Sequence, residues 1–151
     1  MDIFLKNRLH QGRQTIEYNK QHYNGWRAAH DIDQKTEKGY INASDLVRVE
    51  SNTEQIAGCV AVPATVYKAW KVGDLPRVSD YERIIGNVER IRNGYVVLPD
   101  TPETPTQPLN TWQKWNAIER ILHDIFGIYD SNLKNRNYCG EISAGEEIGV
   151  I

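Results

Sequence analysis

The stretch "LPDTPETPTQPLNTW" places prolines at 99, 102, 105 and 108, four of the six in the chain. A proline every third residue excludes a helix interior and a central strand. Each ring fixes its own φ, removes a donor and pushes its predecessor toward extended backbone. Three residues is also one turn of a polyproline II helix. The spacing therefore predicts a stiff extended strap over 98–110, spanning about 30 Å. Its simplest use is as a spacer between two packed parts. A docking ligand for an aromatic groove is the sharper use, but no basic residue flanks the strap to orient such docking. The chain must fold around this strap, with regular structure before and after it.

Three stretches with helical periodicity surround it. "ASDLVRVESNTEQI" and "VSDYERIIGNVERI" share Ser-Asp, then an Arg, an Asn, a Glu and an Ile at the same spacing. "NTWQKWNAIERILHDIF" keeps the Asn, Glu-Arg and Ile elements with one extra residue. Apolar residues recur at intervals of three and four in each. The first has Leu46, Val49, Ile56 and Val60, with Thr53 in the seam. The second has Tyr81, Ile84, Val88, Ile91 and Tyr95. The third has Trp112, Trp115, Ile118, Leu122, Ile125 and Tyr129, plus a second row at Ala117, Ile121 and Ile128. That is more apolar surface than a helix needs against one neighbour. The third helix is thus either central in the fold or a contact between chains. The site residues expected from the second option are Trp112, Trp115, Ile118, Leu122, Ile125 and Tyr129.

Ser44 and Ser79 read as N-caps, with Asp45 and Asp80 in the first turns and Glu82 completing a capping box with Ser79. Asn110 with Gln113 offers the same for the third helix. Arg48 and Arg83, and likewise Asn52 and Asn87, occupy equivalent places. They read as ties between helix ends and loops.

The segment "QIAGCVAVPATVYKAWKVGDLP" has the look of a DNA-binding helix-turn-helix, with a recognition helix over Pro63–Trp70. That helix would carry Lys68 but no Arg, Asn or Gln to read a base edge, and the net charge of the chain is −2. Val60, Val62, Val66 and Tyr67 alternatively favour a hairpin or extended segment.

At 151 residues and 40% apolar, the chain suits one domain with a modest core. The N-terminus lacks the apolar run of a signal peptide, and no run reaches transmembrane length. Cys59 and Cys139 read as packed thiols, with a disulfide left open. The histidines His10, His22, His30 and His123 show no metal-ligand spacing. Neither the short polar cluster of His30, Asp31 and Asp33 nor any glycine loop makes a catalytic or phosphate-binding constellation. The expectation is a non-enzyme without cofactor or metal, touching neither nucleic acid nor membrane.

The expected fold is a mainly α, small helical domain. It has three related helices, a Pro-rich extended strap and minor β structure near Val60–Tyr67 and in the C-terminal "YCGEISAGEEIGVI". The expected division is an N-terminal segment of unassigned role (1–39), a paired-helix repeat region (40–97), the strap (98–110), an apolar assembly helix (111–135) and an extended tail (136–151).

"INASDLVRVESN", "WKVGDLPRVSDYERIIGNVERIR", "PLNTWQKWNAIERILHDIF" and "YCGEISAGE" together resemble tail-associated structural proteins of phages and prophages of Gram-positive bacteria, and of the phage-tail-like particles derived from them. The resemblance spans roughly residues 40 to 146. Each motif alone is weak; their order and spacing are more specific. It implies a virion or tail-like particle component assembled in the host cytoplasm. The role implied is a baseplate or tail-fibre attachment adaptor, bound to other tail, baseplate or fibre proteins. It also implies self-association, with trimeric order favoured. The other function class the residues suggest is a helix-turn-helix DNA-binding regulator.

Overall fold

The computed structural model describes residues 41–136. The expected N-terminal segment, the C-terminal tail with its β structure, and Cys139 lie outside the described residues. Three helices follow in order: α1 (Ala43–Val60), α2 (Val78–Gly94) and α3 (Trp112–Arg136). The mainly α expectation holds. Among the described residues there is no strand, so the β structure expected near Val60–Tyr67 is absent. Val60 instead ends α1, and the residues after it follow the helix surface. The helix over Pro63–Trp70 that the helix-turn-helix alternative requires is not formed either. The recognition helix that a DNA-binding reading needs is therefore absent there.

The N-caps of α1 and α2 lie two residues before the expected serines, and that of α3 lies one residue after the expected asparagine, so the caps differ accordingly. Asn42 caps α1. Its side-chain oxygen accepts from the Asp45 N–H at 3.1 Å, and the Asp45 carboxylate accepts from the Asn42 N–H at 3.1 Å. Ser44 is inside the first turn, and its hydroxyl donates to the Asn42 side chain. At α2 the N-cap is Arg77, whose side chain has no acceptor. Asp80 supplies half of a box, accepting from the Arg77 N–H at 2.8 Å. Ser79 is again a first-turn residue. At α3 the Thr111 hydroxyl, rather than Asn110, accepts from the Lys114 N–H at 3.4 Å. The Ser-Asp pairs thus mark helix starts through the aspartate, which reaches back three residues and also suits the helix dipole. Asn42→Ala is expected to cost about 1 kcal/mol in urea denaturation. Ser79→Ala is expected to stay within about 0.5 kcal/mol. A larger loss for Ser79→Ala than for Asn42→Ala would contradict these cap assignments.

All three helices point the same way. The Tyr81 and Trp115 rings meet near the starts of α2 and α3, with centroids 6.4 Å apart. Tyr95 and Tyr129 meet fourteen residues later on both helices, also at 6.4 Å. Glu50 of α1 pairs with Arg83 early in α2. Val62, just past α1, lies against Gly94 at the end of α2, where an added Cβ would come within 2.6 Å of the valine. Parallel neighbours cannot be joined by short turns. Each connection must travel back the full helix length, about 27 Å for eighteen residues.

Residues 61–77 and 95–111 are these two return segments. The first leaves α1 through Ala61, which takes the left-handed conformation at φ 58 and donates its N–H to Ala57. It then descends between α1 and α2. Thr65 is bonded to Asn87, Tyr67 lies under Arg83, and Asp74 closes a turn on Lys71 before α2 starts. The second contains the strap and descends between α2 and α3. Arg92 holds Pro102 O and Glu103, Thr101 donates to Asp124 at 2.9 Å, Asp100 pairs with Arg120, and Leu109 O accepts from the Trp115 indole at 3.1 Å.

The strap is therefore no free spacer and does not carry α3 away. Thr101 and Leu109 are buried. It is also not one continuous rod. The Thr101 N–H bonds back to Leu98 O in a turn, and the Gln107–Pro108 peptide is cis.

Read in register, the helices stack residues in layers. Leu46, Tyr81 and Trp115 form the first, Val49, Ile84 and Ile118 the second, Thr53, Val88 and Leu122 the third, and Ile56, Ile91 and Ile125 the fourth. All belong to or pack against one buried cluster, apart from Thr53. Thr53 is itself buried and satisfies its hydroxyl on Val49 O at 2.7 Å. These positions fall fourth, seventh, eleventh and fourteenth in each helix, the 3-4 spacing of a parallel coiled coil.

Candidate functional site

The equivalent arginines tie the helices into a cycle. Each reaches the aspartate three residues before it and a glutamate on a neighbouring helix. Arg83 of α2 pairs with Asp80 at 2.7 Å and with Glu50 of α1 at 2.5 Å. Arg48 of α1 pairs with Asp45 at 2.8 Å and with Glu119 of α3. Glu50 and Glu119 each sit eighth in their helix, and Arg48 and Arg83 each sit sixth. The third step of the cycle, from α3 to α2, has Ala117 and Ile85 at those places and carries no ion pair.

The two arginine corners differ in electrostatics. Glu50 is 1% exposed. Burial pushes its carboxyl above the usual glutamate range, against the opposing pull of Arg83 and a hydrogen bond from the Tyr67 backbone. Asp80 is held below its usual range, first by the Arg77 N–H and then by Arg83. Burial opposes the charge on Arg48 and Arg83, but their carboxylate partners outweigh it and raise both. The Arg83 guanidinium also lies 5.8 Å from the Tyr67 ring centroid. These charges are neutralised within the fold and serve cohesion.

The tie residues were expected from the sequence, but their partners were not. Asn87 is fully buried; its amide donates to Thr65 O at 2.6 Å and its oxygen accepts from Thr65 N–H at 3.3 Å. A side-chain amide thus stands in for a strand partner and fixes the return segment to α2. Asn52 is buried at the same place on α1. Glu50 and Glu119 were missed. Their shared distance from the helix starts was the signal, visible once the starts are set at Ala43 and Trp112.

The expected assembly interface requires correction. Trp115, Ile118, Leu122 and Ile125 are buried inside their own chain. Trp112 and Tyr129 are half-buried, Tyr129 against Tyr95 and Phe126. The two apolar rows of α3 exist because α3 packs on both α1 and α2. Of the two options, α3 is central.

The exposed apolar surface lies elsewhere. Val72, Leu75 and Val78 are 100%, 87% and 63% exposed. Val72 and Leu75 border a hollow of about 620 Å³ at the end where all three helices begin, lined also by Ile41, Leu46, Tyr81 and Trp112. Among the described residues no group of three or more His, Cys, Asp or Glu side chains could hold a metal ion. Nor is any helix there long and apolar enough to cross a membrane. No family model, no curated protein and no solved structure matches this chain, so the resemblance to tail-associated proteins stands on the quoted motifs alone.

Proposed function

We propose that the chain is a structural adaptor of a phage tail or tail-like particle, joining baseplate or fibre proteins through protein–protein contacts. The observation that carries this reading is the apolar patch of Val72 and Leu75 at the rim of the hollow at the helix-start end, with Val78 exposed nearby in sequence at the start of α2. Apolar side chains grouped at such exposure are uncommon on a monomer and mark contact surfaces. The helical layers add support. One chain supplies three parallel, near-equivalent helices, so its end face suits the blunt end of a threefold fibre. The contact residues are then those of the patch rather than the α3 seam.

The test is particle incorporation. A tagged chain is expressed in a host that produces the particle, and particles are purified and probed for the tag. The wild type should be retained. Val72→Asp with Leu75→Asp should keep the helical circular dichroism and lose at least tenfold in incorporation. A tag absent from particles in the wild type would refute the adaptor role. Undiminished incorporation of the double variant would refute the patch.

A further inference from the structure

The loop that carries the exposed apolar pair is a closed turn. Asp74 donates its N–H to Lys71 O at 3.0 Å, and its carboxylate accepts from the Lys71 N–H at 2.8 Å. Gly73 has φ 95, where any side chain would be strained, so the turn depends on glycine there. These bonds fix the backbone on both sides of Val72. Its side chain stands fully exposed at the tip, and Leu75 follows at 87%.

Two hollows flank this turn, and Gly73, Asp74 and Leu75 border both. One is the apolar hollow at the helix-start end. The other, of about 590 Å³, is lined also by Tyr67, Trp70 and Arg77. The Tyr67 and Trp70 rings meet edge to face there, with centroids 5.1 Å apart.

The charges near the turn are unequally committed. Asp80 is held by Arg83, and Lys68 by Glu54. The Asp74 carboxylate is turned back onto its own turn. Glu82 is exposed but lines neither hollow. Lys71 and Arg77 bracket the apolar residues, are exposed, and make no salt bridge among the described residues. An aliphatic tip between two such cations is complementary to an apolar pocket with carboxylates at its rim. An anionic lipid surface shares that charge. Its smooth face would leave both hollows unfilled, which favours a protein.

We propose that residues 71–77 form a preformed knob, with Val72 as its anchor, that seats in an apolar pocket rimmed by Asp or Glu on another protein of the particle. This names the partner chemistry of the patch and rests on the adaptor reading. Holding the tip in shape before binding reduces the ordering cost of association.

The test uses the full tagged chain in the particle-producing host. Val72→p-benzoylphenylalanine, irradiated in purified particles, should crosslink to a particle protein at an apolar position with Asp or Glu beside it. Lys71→Glu with Arg77→Glu should lower incorporation about tenfold. Changing the partner's carboxylates to Lys should restore it. Gly73→Val leaves both apolar side chains and meets no neighbour, yet should lower incorporation about fivefold by spoiling the turn. If Val72→Asp with Leu75→Asp abolishes incorporation while the charge reversal does not, the adaptor reading stands and the acidic rim falls. A wild-type tag absent from particles removes both. A crosslink to a second copy or within the chain itself overturns the proposal. So does flotation of the chain with phosphatidylglycerol vesicles that the charge reversal abolishes.

Discussion

Arg83→Met should lose about 3 kcal/mol of unfolding free energy at pH 8, because it leaves a buried carboxylate without its counter-ion. Glu50 is the group at stake. Burial already raises it above the usual glutamate range, and Arg83 is the largest opposing influence. Without Arg83 the folded-state value climbs further, while the unfolded value is unchanged. A carboxyl raised in the folded state contributes its full stability below the unfolded value and loses it as pH rises through the folded value. The deficit of the variant should therefore shrink at lower pH, to about 1 kcal/mol at pH 5. Asp80 works in the opposite sense. Its lowered value adds stability above the usual aspartate range that is lost as pH falls through the folded value. It keeps its larger support, the Arg77 N–H, when Arg83 is gone. Adding Glu50→Gln to Arg83→Met removes the stranded charge and should bring stability to within about 1 kcal/mol of wild type at pH 8. Urea denaturation at both pH values measures all of this. An equal loss at pH 5 and pH 8, or no rescue by Glu50→Gln, would contradict the assigned role of the pair.

Much of this architecture was legible before any coordinates, and the misses share a cause. The helices were visible because Leu46, Val49 and Ile56, and their counterparts in the other two, recur at helical spacing over several turns. The repeat of Arg48 with Arg83 and Asn52 with Asn87 was visible as a sequence offset. What the offset meant was not. Helix direction depends on whether the connections are short turns or full-length returns, and residues 61–77 carry no period that marks a return. Their equivalence to the strap appears only in space, because Thr65 is held by Asn87 while Thr101 is held by Asp124. Thr65 and Thr101 thus do one job through different partners. The strap's prolines by themselves suggest the stiffness of a spacer. They instead suit a segment that lies in a groove and gives few of its N–H groups to a regular ladder. The caps failed for a local reason. Ser44 and Ser79 have good N-cap chemistry, but the aspartates beside them reach back three residues more effectively. The surplus apolar surface of α3 is plain in its two apolar rows. Its destination was unreadable, since a second helix of the same chain and a second chain satisfy it equally well.

That destination sets the other large effect. Ile118→Ala and Ile125→Ala should each cost about 3 kcal/mol, a large share of the stability of a domain this size. Both side chains are fully buried, in layers shared with Val49 and Ile84 and with Ile56 and Ile91. Removing them opens cavities that three parallel helices, pinned by ion pairs at Arg48 and Arg83, cannot close by shifting one helix alone. Gln113→Ala, on the exposed face of the same helix, should stay within about 0.5 kcal/mol. The decisive readout is concentration. A core loss is unimolecular, so the urea midpoints of wild type and of both variants should not move between micromolar and hundred-micromolar protein. If the seam instead joined chains, the midpoint of the wild type would rise with concentration by mass action. The alanine variants would then yield folded monomers with native circular dichroism. Either result would move Ile118 and Ile125 back from the core to an interface and undo the four-layered register on which the parallel bundle rests.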